Sequence, residues 1–314
     1  MRVLITGGAG FVGSHLVRDR LELGDNVVVL DDLSTGFADN VPDDAEFIEG
    51  SVVDLDVVRK AVANADLVLH LAASRAVLRS VHDPIQTDRA NTLGTLNVLT
   101  AARDADVGKV VLASSSSVYG GVAPVPTPEV APLTPKSPYA VSKLAMEHYA
   151  RVYFELYGLE TVALRYFNIF GPRQRPDSAY AAVIPIFTEA IAAGRSIQIH
   201  GDGEQSRDFT FIGDIVAANR IVAAAAGAIV GGKVYNVAGG RPVTLNELVT
   251  GLESILGVEA QREFTEPRAG DIRLSFADTR AAAVELGWRA QIPFEDGLAR
   301  TVEWFRGWQP PAGG

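Results

Sequence analysis

The sequence contains no cysteine, which excludes disulfides, thiolate nucleophiles and cysteine-ligated metal sites. Nothing in the composition therefore indicates an oxidising compartment, and we expect the protein to be cytoplasmic. The sequence has 28 lysine and arginine residues and 38 aspartate and glutamate residues, which gives a net charge of -10. This charge argues against a general surface for binding nucleic acids or anionic membranes. The longest apolar run, residues 221–230, is far shorter than the roughly 20 residues of a membrane helix.

What the sequence does contain is an alternation of β-branched runs and amphipathic helical segments. Six runs read as strands: RVLIT, NVVVLD, EFIEGSV, DLVLHLAA, KVVLASSS and TVALRYFN. The segments between them repeat apolar residues at helical spacing. Strands that alternate with helices form parallel sheets through right-handed crossovers. We therefore predict an α/β fold with a Rossmann-like, doubly wound parallel sheet of at least six strands.

Beyond about Gly171 the pattern changes to proline-rich and glycine-rich connections with scattered helices. This change predicts a second, smaller α/β lobe. One later run, KVYNVAGG, and the helix before it are interpreted as a return to the first sheet. The predicted domains are therefore residues 1–170, joined by about 209–240, and a lobe made of residues 171–208 and 241–314.

A glycine loop follows the first predicted strand. In VLITGGAGFVGSHLV, the glycines Gly7, Gly10 and Gly13 lie between a strand and a helix. Such glycines allow a tight turn, a close approach of the backbone to a pyrophosphate, and close packing of helix on strand. The phosphates then lie at the helix N-terminus. Because this is the first βα turn, the loop predicts a dinucleotide site.

An acidic residue ends the second predicted strand. Asp31, in VVVLDDLSTG, stands 18 residues beyond Gly13, close to where a carboxylate accepts the hydroxyls of an adenosine ribose. A 2′-phosphate at that position would meet a like charge. The sequence therefore favours NAD over NADP.

The stretch KSPYAVSK follows a run of four serines in ASSSSVYGG and predicts the start of a helix. Ser137 suits an N-cap and Pro138 the first helical position, so Tyr139 falls in the first turn and Lys143 lies one turn later on the same face. The helix dipole and the ammonium both favour a phenolate. We therefore expect the pKa of Tyr139 to fall from about 10 towards the working pH, as a general base requires.

Taken in order, these motifs resemble the extended short-chain dehydrogenase/reductase family, with its NAD-dependent epimerases and dehydratases. Within it, the resemblance is to nucleotide-sugar 4-epimerases of the UDP-galactose 4-epimerase type. It covers nearly the whole chain through TGGAGFVGSH, LDDLSTG, LHLAA, ASSSSVYG, SPYAVSK, LRYFNIFGPRQ, HGDGEQSRDF and RAGDIR. The resemblance implies an NAD-binding Rossmann domain and a UDP-sugar-binding lobe.

The catalytic residues implied by the resemblance are Ser115 as the catalytic hydroxyl, Tyr139 as the base, and Lys143 bound to the nicotinamide ribose. Tyr139 would take the proton from the sugar 4-hydroxyl as hydride leaves C4 for NAD+. The 4-keto intermediate would turn and accept hydride on its other face. This scheme implies an isomerase that interconverts UDP-glucose and UDP-galactose.

The resemblance also implies the residues that contact NAD and the UDP-sugar. The NAD contacts are Gly7, Gly10, Phe11, Val12, Gly13, Asp31, Asp32, Ser34, Thr35, Gly36, Ser51, Val52, Leu71, Ala72, Ala73, Asn91, Ser114, Tyr139, Lys143 and Tyr166. The sugar-nucleotide contacts are Arg75, Ser115, Ser116, Tyr139, Asn168, Arg175, Val183, Arg207, Arg268, Asp271 and Ser275. One departure is that Ser51 stands where the family usually has an aspartate that meets the adenine.

The sequence leaves the sugar open. The RPD stretch resembles uronate-specific epimerases, in which Arg175 would face a sugar carboxylate, yet those enzymes tend to have threonine in place of Asn168. UDP-glucuronate 4-epimerase is therefore the alternative. Ser275 stands at the family's gatekeeper position, and its small size predicts room for N-acetylhexosamines.

Three further alternatives are a dehydratase, a decarboxylase and an inactive NAD-binding regulator. Family dehydratases have an acid and base pair where this chain has Ser116 and Ser117. An inactive binder has no need for the complete set of Ser115, Tyr139 and Lys143. Relatives also commonly dimerise through two helices, which here would lie around residues 90–104 and 139–157, so we expect a homodimer.

Overall fold

The computed structural model describes residues 1–75, 77–176, 181–267 and 272–308. Its strands alternate with helices throughout the first half, as the sequence predicts. In chain order the strands are β1 (Arg2–Thr6), β2 (Asn26–Asp31), β3 (Glu46–Glu49), β4 (Leu67–His70), β5 (Lys109–Ser115), β6 (Glu160–Tyr166), β7 (Ile169–Phe170), β8 (Ile197–His200), β9 (Ser206–Asp208), β10 (Thr210–Phe211), β11 (Lys233–Val237), β12 (Pro242–Thr244) and β13 (Arg262–Thr265).

The α-helices connect these strands and cover both faces of the main sheet. They are α1 (Phe11–Glu22), α2 (Leu55–Val62), α3 (Val77–His82), α4 (Pro84–Asp88), α5 (Gly94–Asp104), α6 (Pro138–Tyr157), α7 (Val183–Ala192), α8 (Ile212–Ala224), α9 (Gly227–Val230), α10 (Leu245–Leu256), α11 (Arg280–Leu286) and α12 (Phe294–Gly307). Short 3₁₀ turns occur at Ala38–Asn40 and Ser116–Tyr119, and a π turn at Arg89–Leu93 joins α4 to α5 in one continuous helix.

The main sheet has seven strands in the order β11-β6-β5-β4-β1-β2-β3, and every neighbouring pair is parallel. The predicted doubly wound α/β fold is therefore confirmed, with one strand more than the predicted minimum of six. The order reverses between β1 and β4. In such sheets a crevice opens beyond the carboxyl ends of the strands at this point, and ligands bind there.

Alternation along β1 shows how both faces of the sheet are covered. Val3 and Ile5 pack in one cluster with Leu16 of α1, while Leu4 packs in a second cluster with Leu99 of α5. These β1 residues are fully buried. Because successive side chains of a strand point to opposite faces, a strand buried on both sides reads as a continuous apolar run.

The strand β11 comes from the second half of the chain and pairs with β6 at the sheet edge. The remaining short strands form three pairs outside the main sheet: β7 with β10, β8 with β13, and β9 with β12. The division of the chain into an NAD-binding domain and a UDP-sugar lobe stays a prediction. No helix in the described ranges is long and apolar enough to span a bilayer.

Candidate active site

A cavity of about 800 Å³ lies along the carboxyl edge of the main sheet. The glycine loop, the ends of β2, β4 and β5, the start of α6 and the β6–β7 connection line it together with Ile272, Leu274 and Ser275. The predicted site residues that line it are Gly7, Gly10, Phe11, Val12, Gly13, Asp31, Asp32, Ser34, Thr35, Ser51, Val52, Leu71, Ala72, Ala73, Arg75, Ser114, Ser115, Ser116, Tyr139, Lys143, Tyr166, Asn168, Arg207 and Ser275.

Four predicted residues lie away from the cavity wall. Gly36 packs behind the wall, where an added Cβ would lie 2.9 Å from the Ala9 side chain. Val183 is the first residue of α7. Asn91 and Arg175 have other partners, which are described below. Arg268 and Asp271, both expected to bind the UDP moiety, lie outside the described residues.

The glycine loop has the close contacts that a dinucleotide cradle requires. Gly7 has a left-handed φ of 72°, and a Cβ on Gly13 would lie 2.1 Å from the Gly7 carbonyl oxygen. Only glycine at both positions lets α1 approach β1 this closely. Gly10 is the N-cap of α1 and provides no side-chain cap, so the first amides of the helix remain available to a phosphate. These residues fit the pyrophosphate of NAD.

The carboxylate of Asp31 is fixed by two backbone amides. Its Oδ2 accepts from Ala9 N at 3.0 Å and its Oδ1 from Leu33 N at 2.9 Å. Burial raises the pKa of Asp31, and these hydrogen bonds oppose the rise. Asp31 therefore ties the glycine loop to the end of β2, a role that its spacing from Gly13 does not reveal.

The first turn of α6 brings Tyr139 to the cavity. Ser137 caps the helix by accepting from Ala140 N at 3.1 Å, and Pro138 is the first helical residue, as predicted. The Ser115 side chain, at the end of β5, makes a hydrogen bond with Tyr139 that lowers the pKa of the phenol. A hydroxyl beside the phenol suits the partner of a catalytic base.

The expected fall in the pKa of Tyr139 is wrong for the protein chain alone. Burial raises this pKa, and the Ser115 hydrogen bond and the Arg75 charge offset only part of the rise. Lys143 lies on the same face, as predicted, with its Nζ 5.9 Å from the centre of the Tyr139 ring. Its ammonium donates to the Ala113 carbonyl at 2.7 Å. Burial also lowers the pKa of Lys143, to about 8.

Asn91 braces the site from behind. It lies in the π turn and is only 2% exposed. Its Oδ1 accepts from Ser74 N at 2.7 Å and its Nδ2 donates to Ser142 Oγ at 2.9 Å. Ser142 Oγ in turn donates to the Tyr139 carbonyl at 2.9 Å. Asn91 thus holds the helix of Tyr139 in place, whereas the sequence predicted a cofactor contact.

The residues predicted to hold the sugar nucleotide meet at β9. Asn168 Nδ2 donates to the Asp208 carbonyl at 3.2 Å, and Arg207 Nη1 donates to the Ile272 carbonyl at 2.5 Å. Ser275 N donates to the Ser206 carbonyl at 3.2 Å. Three distant parts of the chain therefore reach one end of the cavity through a single short strand.

Arg175 lies over aromatic rings and does not line the cavity. Its guanidinium carbon is 3.5 Å from the centre of the Phe37 ring and 5.5 Å from that of Trp308. The prediction that Arg175 faces a sugar carboxylate gains no support from this position.

Sequence reasoning missed Asp208 and Gln174. The Asp208 side chain is fully buried, and its carboxylate accepts from Gly240 N at 3.0 Å and Ala277 N at 3.1 Å. Burial raises the pKa of Asp208 to about 7. The signal that could have identified Asp208 is its position directly before the largely apolar run FTFI, where a charged residue is unusual. Gln174 lines the cavity and donates to the Ile169 carbonyl at 2.9 Å; no periodicity indicated it.

Comparisons with known proteins agree with this geometry. The family model described as NAD dependent epimerase/dehydratase family matches residues 3–238. The UDP-glucose 4-epimerase of Mycolicibacterium smegmatis is 42% identical over 98% of this chain and 99% of its own length. The UDP-glucuronate 4-epimerase of Thermodesulfobacterium geofontis is 33% identical over 96% of this chain and 95% of its own.

Solved structures agree as well. The Thermotoga maritima UDP-glucose 4-epimerase with UDP-glucose superimposes with a TM-score of 0.93 at 37% identity, covering 98% of this chain and 99% of that one. The Thermus thermophilus UDP-glucose 4-epimerase in complex with NAD gives a TM-score of 0.89 at 38% identity, with the same coverage of 98% and 99%.

The glycine loop gives a direct test of the cofactor cradle. Gly13→Ala would bring a methyl carbon to 2.1 Å from the Gly7 carbonyl, so we expect a stability loss of about 1–3 kcal/mol or more and no stabilisation by NAD. The measurement is the melting temperature over a series of NAD concentrations. Gly307→Ala is the control, because nothing lies within 4 Å of its Cβ position. A Gly13→Ala protein with the wild-type response to NAD would contradict the cradle.

Proposed function

We propose that this chain, which belongs to the NAD-dependent epimerase/dehydratase family, is a UDP-sugar 4-epimerase that interconverts UDP-glucose and UDP-galactose. The observation that carries the proposal is the pairing of Ser115 with Tyr139 beside Lys143, on the wall of the cavity that also contains the glycine loop. A base, a supporting hydroxyl and a cation next to a dinucleotide cradle suit a reversible oxidation of an alcohol.

The side chains have separate tasks in such a reaction. NAD+, when bound, supplies the hydride acceptor and a positively charged ring that favours the phenolate. The Tyr139 oxygen accepts the proton of the sugar 4-hydroxyl, while the Ser115 hydroxyl holds that oxygen by its hydrogen bond. Lys143, fixed by the Ala113 carbonyl, contributes its charge beside the phenol. The epimer forms when the 4-keto sugar, having turned over, regains a hydride at C4 on its other face and the proton from Tyr139 at its 4-oxygen.

Epimerisation is favoured over dehydration by the residues that follow Ser115. Removal of water from C5 and C6 needs an acid and a base near the catalytic hydroxyl. Here those positions are Ser116 and Ser117, whose hydroxyls do not titrate in the working pH range. Ser117 N also donates to Ser115 Oγ at 3.2 Å, so this turn supports the hydroxyl.

The β9 end of the cavity suits a nucleoside diphosphate. Arg207 lines this end, and a guanidinium matches phosphate oxygens through its planar donors. Asn168 lines the same end and has amide donors and an acceptor for a sugar or its diphosphate. The small side chain of Ser275 also lines the cavity, which supports access for N-acetylhexosamines.

A UDP-uronate is the second candidate substrate, because Arg75 lines the same cavity as Tyr139. The Arg75 charge lowers the pKa of Tyr139, so the two groups are close enough to interact. In a hexuronate the C6 carboxylate is attached to C5, the neighbour of C4. A sugar with its 4-hydroxyl at Tyr139 can therefore present this carboxylate to Arg75. The relative that acts on UDP-glucuronate supports the same reading.

An apolar surface on α3, α4 and α6 suits a second copy of the chain. These helices pack against one another, and their outward side chains include Leu78, Val81, Ile85, Val152 and Leu156. Ile85 is 73% exposed and Leu156 70% exposed. Exposed apolar side chains on adjacent helices are typical of protein interfaces. We propose a homodimer formed through this surface, which shares α6 with the interface expected from the sequence but uses α3 and α4 in place of the helix around residues 90–104.

Replacement of Tyr139 by phenylalanine tests the chemistry. We expect Tyr139→Phe to retain binding of NAD and UDP-sugar and to lose turnover by about 10²–10⁴-fold, because the proton acceptor is gone. The assay follows UDP-galactose, UDP-N-acetylgalactosamine and UDP-galacturonate with the purified protein. Tyr157→Phe is the control, since Tyr157 is half exposed at the far end of α6. Absence of turnover of every sugar by wild-type protein that contains NAD would exclude an epimerase.

Replacement of Arg75 by methionine separates the two sugar classes. We expect Arg75→Met to lower kcat/KM for UDP-galacturonate about 10–100-fold more than for UDP-galactose, because only the uronate loses a charge-assisted hydrogen bond. The ratio of the two kcat/KM values is the measurement, since the effect of Arg75 on Tyr139 is common to both sugars. An unchanged ratio would remove the support for a uronate.

Replacement of Ile85 by glutamate tests the dimer. We expect wild-type protein to have twice the chain mass of 33.4 kDa by light scattering, and Ile85→Glu to have the single mass, because a buried unpaired carboxylate is costly at an interface. Val284→Glu is the control, since Val284 is 83% exposed on α11, outside the proposed surface. A monomeric wild-type protein, or a dimeric Ile85→Glu variant, would contradict this interface.

A further inference from the structure

Ser114 lies between the two β5 residues that hold Lys143 and Tyr139. The residue before it accepts from Lys143, and the residue after it bonds to Tyr139. Ser114 itself donates a hydrogen bond to the carboxylate of Glu147. Three consecutive β5 residues therefore hold three residues of α6, and the third of these, Glu147, has no part in the chemistry proposed above.

The Glu147 carboxylate is clamped by Arg165 of β6. Arg165 Nε donates to Oε1 at 2.9 Å and Arg165 Nη2 donates to Oε2 at 2.7 Å, which is a bidentate ion pair. The two side chains are each 4% exposed. Arg165 Nη1 also donates to the Tyr119 hydroxyl at 2.7 Å. A buried ion pair with its remaining donors satisfied is rigid, and the loss of one partner is costly.

We propose that Glu147 is a positioning residue whose clamped carboxylate holds the Lys143 ammonium in its charged form at the cavity wall. Glu147 follows Lys143 by one turn of α6, so the carboxylate and the ammonium are neighbours on one helix face. The carboxylate reaches Lys143 through the field it creates, while its own hydrogen bonds go to Ser114 and Arg165. This inference rests on the proposed function for its effect on turnover.

The charges around Lys143 give the sign of the effect. On its own helix are the Tyr139 phenol and the Glu147 carboxylate; on β4 is His70, on β6 is Arg165, and Arg75 lines the cavity near Tyr139. Burial and the Lys143 charge lower the pKa of His70 to about 3, so the imidazole is neutral at working pH.

Among these groups, Glu147 opposes the loss of the Lys143 proton. Burial lowers the pKa of Lys143 to about 8, and the Glu147 carboxylate acts in the opposite direction. Without that carboxylate the pKa falls further, and the ammonium becomes a neutral amine at a lower pH. A role confined to packing would not change this pH.

The first readout does not depend on turnover. Trace labelling with acetic anhydride at a series of pH values, followed by peptide mass spectrometry, reports the fraction of Lys143 that is a neutral amine. We expect the half-point of labelling in Glu147→Gln to fall by about 1–3 pH units from wild type. In Glu147→Asp, which keeps a carboxylate, the half-point should return most of the way to the wild-type value. An unchanged half-point in Glu147→Gln would overturn the inference.

A double variant keeps the test decisive if Glu147→Gln fails to fold. Glu147→Gln with Arg165→Met removes both charges, so no unpaired guanidinium is left buried. We expect a fall in the labelling half-point that is smaller than in Glu147→Gln, because the positive charge of Arg165, which disfavours the ammonium, is lost as well. A wild-type half-point would overturn the inference. Ser114→Ala is the matched control: it removes one hydrogen bond to Glu147 and leaves both charges, so its half-point should stay close to the wild-type value.

The second readout links Lys143 to the reaction. In wild type, the upper pH limit of kcat should follow the loss of the Lys143 proton, and in Glu147→Gln this limit should move down with the labelling half-point. A rate that falls equally at every pH would leave Glu147 with a packing role only and would overturn the inference. Shifted labelling without turnover of any sugar would retain the role of Glu147 and reject the epimerase.

Discussion

The contact between the carboxyl end of β5 and the first three turns of α6 is the constraint on which the site depends. There, residues 113–115 meet Tyr139, Lys143 and Glu147 one by one, through a carbonyl and two hydroxyls. Buried polar groups without partners are costly, so this contact tolerates little sliding of the helix along the strand. A shift of one residue would break the hydrogen bonds that Lys143, Glu147 and Tyr139 make with β5 at once.

The same contact explains why Tyr139 does not ionise in the chain alone. Burial is what fixes the tyrosine, and burial is also what disfavours its charged form. In the chain alone the phenol is neutral, and Arg75, Lys143 and the Ser115 hydroxyl lie near it. One more positive charge, such as that of a nicotinamide ring, would favour the phenolate. In the proposed reaction, a base that forms mainly when NAD is bound would avoid a permanently charged group in the cavity.

Much of this could be predicted from the sequence, because it depends on local patterns. The strands, the glycine loop and the helix that begins at Ser137 and Pro138 follow from period, turn chemistry and capping, and all are found. The direction of the pKa shift of Tyr139 could not be predicted. Spacing along a helix shows which residues are neighbours, but it does not show how deeply a side chain is buried. The role of Asn91 could not be predicted either, since its partners, Ser74 and Ser142, are 17 and 51 residues away.

The π turn at Arg89–Leu93 has a consequence for how this chain can change. A π turn accommodates one more residue than a regular turn, so it rotates the following helix by ~100° relative to the preceding one. Because of this offset, Ile85 on α4 faces outward while Leu99 on α5 faces the core. Deletion of a single residue here would restore a regular helix and would rotate α5 relative to α4, so that the two helices could no longer both present their present faces. Insertions and deletions are therefore far more restricted at this turn than substitutions, although it lies outside the residues proposed as catalytic.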